Sequence, residues 1–225
     1  MALYDTSVPE QLLIGMRLAR GAIGRGELVV IPTDTVYGLA ADAFAPAAVQ
    51  RLLDAKGRDR TAPPPVLVPG IPTLAALAEV VPDEVHELTK RFWPGGLTIV
   101  LRARATLNWD LGDTRGTVAM RMPSHTIALE LLSETGPLAV SSANRTGEPA
   151  AMTAAEAEVA LGDAVAVYLE AGLAGTEYPD AGVGTGSTIV DATGLEHPDG
   201  KLRILRHGVV PDSAIIDVVG ADRCA

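Results

Sequence analysis

The segment LVVIPTDTVYGL at 28–39 restricts the fold more than any other, because it joins an apolar strand directly to three polar side chains. Leu28 to Ile31 carry the aliphatic residues of a buried strand, and Pro32 then stops ladder pairing because it has no amide proton. Thr33, Asp34 and Thr35 follow at the sheet edge. A strand that ends in hydroxyl and carboxyl groups, where turn residues are usual, predicts a ligand site. A second segment, DAKGRDR at 54–60, comes at helix distance and adds the cations Lys56 and Arg58. Polar anchors together with cations suit an anionic ligand.

The same pattern recurs downstream. Leu138 to Val140 reads as a strand running into Ser141-Ser142-Ala143-Asn144, and Ser187 and Thr188 open a strand that continues to Asp191. Between these sites the chain alternates helices and strands. Ser7-Val8-Pro9-Glu10 predicts a capping box for a first helix, with Leu12, Met16, Ala19 and Ile23 at helical spacing up to Gly24 and Gly26. Further helices are expected over Pro46–Ala55, Thr73–Val80 and Asp83–Phe92, the last stopped by Trp93-Pro94-Gly95-Gly96. Ser124 is read as the cap of another, Thr153-x-x-Glu156 as a second capping box, and Asp212–Val219 as the final helix. Strands are expected at 66–68, 97–101, 117–122, 164–169 and 202–205. Leu97 to Met122 and Ser187 to Leu205 place strands in direct succession, so the order is not strictly β-α-β. An α/β chain of mixed α+β character follows, with a mixed sheet and helices on its faces. Ligands of such sheets gather beyond strand ends.

Charge and composition narrow the function. With 225 residues and 48% hydrophobic content, the chain supports one large domain, read as a single catalytic unit over 1–225. A net charge of −10 opposes nonspecific nucleic-acid binding, which relies on surplus Lys and Arg. Yet Arg51, Lys56, Arg58 and Arg60 fall together while 150–199 contains neither Lys nor Arg, so a local cationic pocket fits an acidic exterior. The only cysteine is Cys224, which excludes an internal disulfide and suits a reducing compartment. No signal peptide is read in the acidic N-terminus and no stretch reaches a membrane span of roughly 20 apolar residues, so a cytoplasmic protein is expected. His86, His125, His197 and His207 lack metal-ligand spacing, and no protein metal site is expected. Gly182-x-Gly184-x-Gly186 precedes a strand where a dinucleotide fingerprint would need a helix, and no Walker-type phosphate loop or G-x-S-x-G elbow occurs. A nucleotide would have to be held by side-chain cations.

Taken in order, PTDTVYGL at 32–39, KGR at 56–58, TVAMRMP at 117–123, SAN at 142–144 with Gly147, STIVD at 187–191 and ILRHG at 204–208 resemble the threonylcarbamoyl-AMP synthase family, also called YrdC-like. The resemblance implies a twisted mixed sheet flanked by helices on both faces. It implies an enzyme, a nucleotidyltransferase that makes L-threonylcarbamoyladenylate and pyrophosphate from L-threonine, bicarbonate and ATP. The product would feed a downstream tRNA threonylcarbamoyl transferase that modifies the adenosine beside the anticodon. Residue by residue, it implies threonine contacts at Thr35, Arg121, Ser142 and Ser187 and ATP contacts at Lys56, Arg58, Thr117, Asn144 and Arg206. Lys56 and Arg58 are read as the catalytic cations and Arg121 as a two-nitrogen fork on the threonine carboxylate. Mg²⁺ would arrive with ATP. Two departures stand out: Asp59 where many members have proline, and Leu67 where a histidine is expected. The extra C-terminal domain of longer relatives is not expected. The glycine-rich stretch from Glu170 to Gly186 is read as a lid over a water-labile carbamate. Two rival readings remain at this point, an RNA-binding module with Arg51 to Arg60 as its patch and an ATP-dependent carbamoyl transferase with another acceptor. A weak tRNA contact is compatible with the main reading.

Overall fold

The computed structural model describes residues 2–178 and 186–225. The central part of the expected lid, residues 179–185, lies outside them, as do Gly182 and Gly184. Ten strands form one mixed sheet in the order β1-β8-β2-β3-β7-β4-β6-β5-β9-β10. They are β1 Ala2–Asp5, β2 Val29–Ile31, β3 Gly38–Asp42, β4 Val66–Leu67, β5 Leu97–Arg102, β6 Thr117–Arg121, β7 Leu138–Ser142, β8 Val167–Glu170, β9 Thr188–Asp191 and β10 Arg203–Arg206. Seven α-helices accompany them among the described residues: α1 Pro9–Gly24, α2 Pro46–Lys56, α3 Ile71–Leu77, α4 Asp83–Phe92, α5 Thr126–Thr135, α6 Ala154–Leu161 and α7 Asp212–Val219.

Strand periodicity decides where the helices sit, since successive side chains point to opposite faces. In β2, Val29 and Ile31 pack with Met16, Ala19 and Ile23 of α1 and Leu131 and Leu132 of α5. Val30 faces the other way, onto Leu52 and Leu53 of α2 and Ala154 and Ala157 of α6. This half of the sheet is covered on both faces. The other half is not. Val66, Ile99, Val118, Met120 and Val190 pack against α3, α4 and α7 through Leu74, Leu88 and Ile215. Their alternates Leu67, Thr98, Ala119, Arg121 and Ile189 face a cavity where a helix would otherwise lie. The open face is where the site forms.

Several expectations change. β2 is an interior strand between β8 and β3, so the polar cluster after it sits at a strand end within the sheet rather than at an edge. The first capping box does not form: Val8 is the N-cap without a side-chain bond, because Ser7 Oγ donates to Asp5 Oδ1 at 2.6 Å. At α5 the cap is His125, whose Nδ1 accepts from the Ile127 amide at 3.3 Å. Ser124 turns instead to Glu177, donating from Oγ at 2.7 Å. The second box forms in part. Thr153 Oγ1 accepts from the Glu156 amide, but Glu156 Oε2 reaches back one residue further, to the Met152 amide at 2.7 Å.

Gly38 starts β3 opposite Ser142, and a Cβ there would lie 2.6 Å from Val140 Cγ1, on a side chain too stiff to swing aside. Gly38→Ala should lower stability by about 1–3 kcal/mol through overpacking. Gly24→Ala, at an α1 end with nothing within 4 Å of its Cβ, should be neutral or stabilising. Denaturant unfolding of the two variants checks the contrast.

Candidate active site

The loop after β2 folds on its own hydroxyls. Thr33 Oγ1 donates to the Val36 carbonyl at 2.6 Å and accepts from the Thr35 and Val36 amides, which curls the chain and aims Thr35 inward. Arg121, the last residue of β6, meets it from across the sheet: Nη1 donates to Thr35 Oγ1 at 2.9 Å and Nε to the Gly95 carbonyl at 2.9 Å. Asp34 stands behind the same guanidinium, with Oδ1 2.7 Å from Nη2. The approach is off the N–H direction, so this contact is a charge pair and not a hydrogen bond. The two-nitrogen fork expected of Arg121 is therefore not open in this arrangement. Nε is held by Gly95 and Nη2 is sealed against Asp34, which leaves Nη1 toward the cavity.

Two further guanidiniums reach the same cavity, of about 470 Å³. Arg58 donates from Nε to the Ala62 carbonyl at 2.6 Å and from Nη1 to Ser141 Oγ at 2.8 Å. Asp59 supports that turn by accepting the Thr61 amide at 2.8 Å. Arg206, at the end of β10, donates from Nη2 to Ser187 Oγ at 3.0 Å and holds the Ser187 carbonyl through Nε and Nη2. Ser187 in turn shares a 2.7 Å bond with Thr98 Oγ1. Burial pulls Arg58 and Arg206 below the ordinary guanidinium range, and the charges of Arg121 and Arg58 lower Arg206 further. Three cations repel one another here, and only Arg121 has a carboxylate partner among the described residues. Leu67, Val140 and Ile189 supply apolar surface beside them. The volume and the mixture of apolar wall and few polar anchors are those of a small-molecule site.

A family model for Sua5, YciO and YrdC proteins, described as "Telomere recombination", matches residues 21–208. The chain belongs to the Sua5/YciO/YrdC family. A Mycobacterium tuberculosis (strain ATCC 25618 / H37Rv) protein, provisionally named threonylcarbamoyl-AMP synthase, is 48% identical over 219 residues, covering 97% of this chain and 95% of that protein. Threonylcarbamoyl-AMP synthase of Pyrococcus abyssi (strain GE5 / Orsay) is 37% identical over 210 residues, covering 92% of this chain but 58% of the longer protein. The crystal structure of P. abyssi Sua5 complexed with L-threonine superposes with a TM-score of 0.84 at 33% identity, covering 100% of this chain and 63% of that one. Escherichia coli YciO, at 22% identity and a TM-score of 0.76, shares the fold.

Within this Sua5/YciO/YrdC fold, Thr35, Arg121, Ser142 and Ser187 line one cavity, and so do Arg58 and Arg206. Lys56, Thr117 and Asn144 do not line it. Thr117 lies on the Arg121 face of β6 but at the other end of the strand, with Oγ1 on the Thr114 carbonyl at 2.8 Å. Lys56 is buried behind the site, where Nζ donates to the Ser142 and Asn144 carbonyls and to Asn144 Oδ1 at 3.3 Å. Asn144 passes the restraint on, donating from Nδ2 to the Arg145 and Glu148 carbonyls at 2.9 and 2.7 Å. In this arrangement Lys56 pins the strand end that carries Ser142. The basic run expected of an RNA-binding face is likewise dispersed: Arg51 donates to the Gly26 carbonyl, Arg58 turns inward and Arg60 pairs with Asp110. Residues without a role in the sequence reading also belong here. Thr98 and Ser141 hold Ser187 and Arg58; Ser141 was marked only as part of the hydroxyl cluster after Val140, and Thr98 had no signal beyond lying in a strand. Asp34 had one, its place between two threonines.

Burial, with Arg58 adding to it, brings the Lys56 ammonium down to about 8 from an ordinary 10.5. The folded chain thus releases this proton before the unfolded chain does. The group's contribution to stability is poorest below about pH 8 and improves as pH rises toward 10.5. The pin on the 142–148 segment is lost over the same range. Hydrogen exchange of those amides should accelerate above pH 8 beyond the intrinsic base-catalysed rise, without a matching loss of global stability from this group. Lys56→Met should exchange fast there already at pH 7.

Proposed function

We propose that the chain is an L-threonylcarbamoyladenylate synthase acting as one catalytic unit in the cytoplasm. The observation that carries this reading is the convergence of Arg58, Arg121 and Arg206 on one hydroxyl-lined cavity, in a chain 48% identical to a protein provisionally named as such a synthase. Two anionic groups have to be held there, an amino-acid carboxylate and a polyphosphate. We assign Thr35 and Arg121 Nη1 to the first, and Arg58 and Arg206 to the second. Ser142 and Ser187 lie within the same cavity and are assigned to the threonine hydroxyl and amine side of the ligand.

The reaction is written in two steps. The threonine ammonium and bicarbonate give the carbamate, one water and one proton. A carbamate oxygen then attacks the α-phosphorus of ATP in line, the bond to the bridging oxygen breaks, and pyrophosphate leaves with its electron pair. No covalent enzyme intermediate is needed, so the side chains act by positioning and by stabilising charge that develops on phosphate oxygens. The donor set near the cavity suits Mg²⁺ carried by ATP: hydroxyls and guanidiniums line it, and no cluster of three acidic, His or Cys ligands occurs among the described residues. The ion would be held by phosphate oxygens and water, with Ser141 and Ser142 offering hydrogen bonds to that water, and it would supply charge neutralisation. No helix among the described residues is long and apolar enough to cross a membrane. The product is assigned to a downstream tRNA threonylcarbamoyl transferase.

Pyrophosphate release from ATP should require both threonine and bicarbonate. Arg58→Ala should slow it about a hundredfold, equivalent to about 3 kcal/mol in the transition state. Release driven equally by other amino acids, or without bicarbonate, contradicts the reading. In the same assay serine, which lacks only the methyl, should lose about 1–3 kcal/mol relative to threonine, while valine, which cannot satisfy the hydroxyl partners, should be rejected far more strongly.

A further inference from the structure

The guanidiniums of the cavity are not equivalent. Arg58 is held by a carbonyl and a serine hydroxyl, and Arg206 by the Ser187 carbonyl and hydroxyl; all of these acceptors are neutral. Arg121 differs, because Asp34 lies 2.7 Å from Nη2. Asp34 is itself fixed on every side. Oδ1 accepts the Ser124 amide at 3.0 Å, Oδ2 accepts the Tyr178 hydroxyl at 3.2 Å, and the side chain is fully buried behind the cavity without lining it. Burial beside Asp34 pushes the Tyr178 hydroxyl up to about 12, so it stays a donor to that carboxylate at any physiological pH.

We infer that Asp34 is a positioning residue that sets substrate placement: it aims Arg121 and offsets its charge, dividing the cavity into a charge-paired end for a zwitterionic amino acid and a doubly cationic end for polyphosphate. The inference rests on the functional reading above and adds to it a means of keeping phosphates out of the amino-acid end. A buried guanidinium with no counter-charge attracts any anion, and a phosphate group carries more charge than a carboxylate. With Asp34 behind it, Arg121 offers one directed N–H and a weaker net field than an unpaired guanidinium would. An amino acid, whose own charges sum to zero, is then disfavoured there less than a polyphosphate is. A triphosphate gains most at Arg58 and Arg206. Position and charge are both set from outside the ligand's reach, which is why Asp34 can act without touching substrate.

The test is Asp34→Asn, which keeps the shape and an acceptor for the Ser124 amide while removing the charge. By analogy with outer partners that orient metal ligands, the threonine KM should rise about 10–100-fold while the ATP KM changes little. Inorganic pyrophosphate, titrated by calorimetry in the absence of ATP, should become competitive with threonine in the variant and should not be so in the wild type. Equal KM increases for both substrates without new competition would reduce Asp34 to a structural role and overturn the inference. Should the variant not fold, the wild-type titration decides: pyrophosphate that displaces threonine there means the cavity is not divided. Wild-type protein that binds no threonine overturns the functional reading and this inference with it, whereas threonine binding unaltered by Asp34→Asn overturns this inference alone.

Discussion

Mutual repulsion among Arg58, Arg121 and Arg206 is the constraint around which the rest of this structure is arranged. Burial disfavours the charges of Arg58 and Arg206, and the neighbouring charges of Arg121 and Arg58 disfavour that of Arg206 further. Folding alone gains nothing from bringing them to one place. They are kept there by neutral acceptors, the Ala62 and Ser187 carbonyls and the Ser141 and Ser187 hydroxyls, and by the single carboxylate of Asp34. A protein that holds cations at such a cost has a site prepared for an anion, and the attraction an entering anion feels is the repulsion stored in its absence.

The sheet makes this arrangement possible by leaving one face uncovered. Over β2, β3 and β8 both faces carry helices, and the residues alternate between two apolar clusters. Over β4, β5, β6 and β9 one set of alternates packs on α3, α4 and α7, while the other set becomes the cavity wall. Because period-2 alternation is strict, Thr98, Ala119, Arg121 and Ile189 are presented side by side without any further device. What needs a device is the loop that closes the site at Ser142, and Lys56 provides it by gathering the Ser142 and Asn144 carbonyls onto one ammonium.

Local order in this chain was legible where local forces decide it. The bounds of α4 and α7 agree with the expected 83–92 and 212–219, since Pro82 and Pro211 open them and apolar spacing runs through each. The strand-to-hydroxyl pattern at 31–35 and 140–144 correctly marked strand ends that line one cavity. Elements made by distant pairing were not legible. β1 exists because it lies parallel to β8, some 160 residues away. β3, with the sequence GLAAD, has weak strand propensity and forms because β2 and β7 pair with it on either side. The cationic segment and the second strand end brought Lys56 and Asn144 to notice, and motif resemblance gave them ATP contacts, but neither could separate a group that faces the cavity from one that holds its wall. Asp34 was visible as a residue and silent as to role, because its partner Arg121 lies on another strand.

On the proposed function, one cavity holds an amino acid against Arg121 and Thr35 and a polyphosphate against Arg58 and Arg206. Crystals grown with L-threonine and a non-hydrolysable ATP analogue test it most directly. The threonine carboxylate should lie within hydrogen-bond reach of Arg121 Nη1 and the phosphates on Arg58 and Arg206, with Lys56 still on the Ser142 and Asn144 carbonyls. Ligands bound outside this cavity, or phosphates seated on Arg121 with threonine displaced, would contradict it.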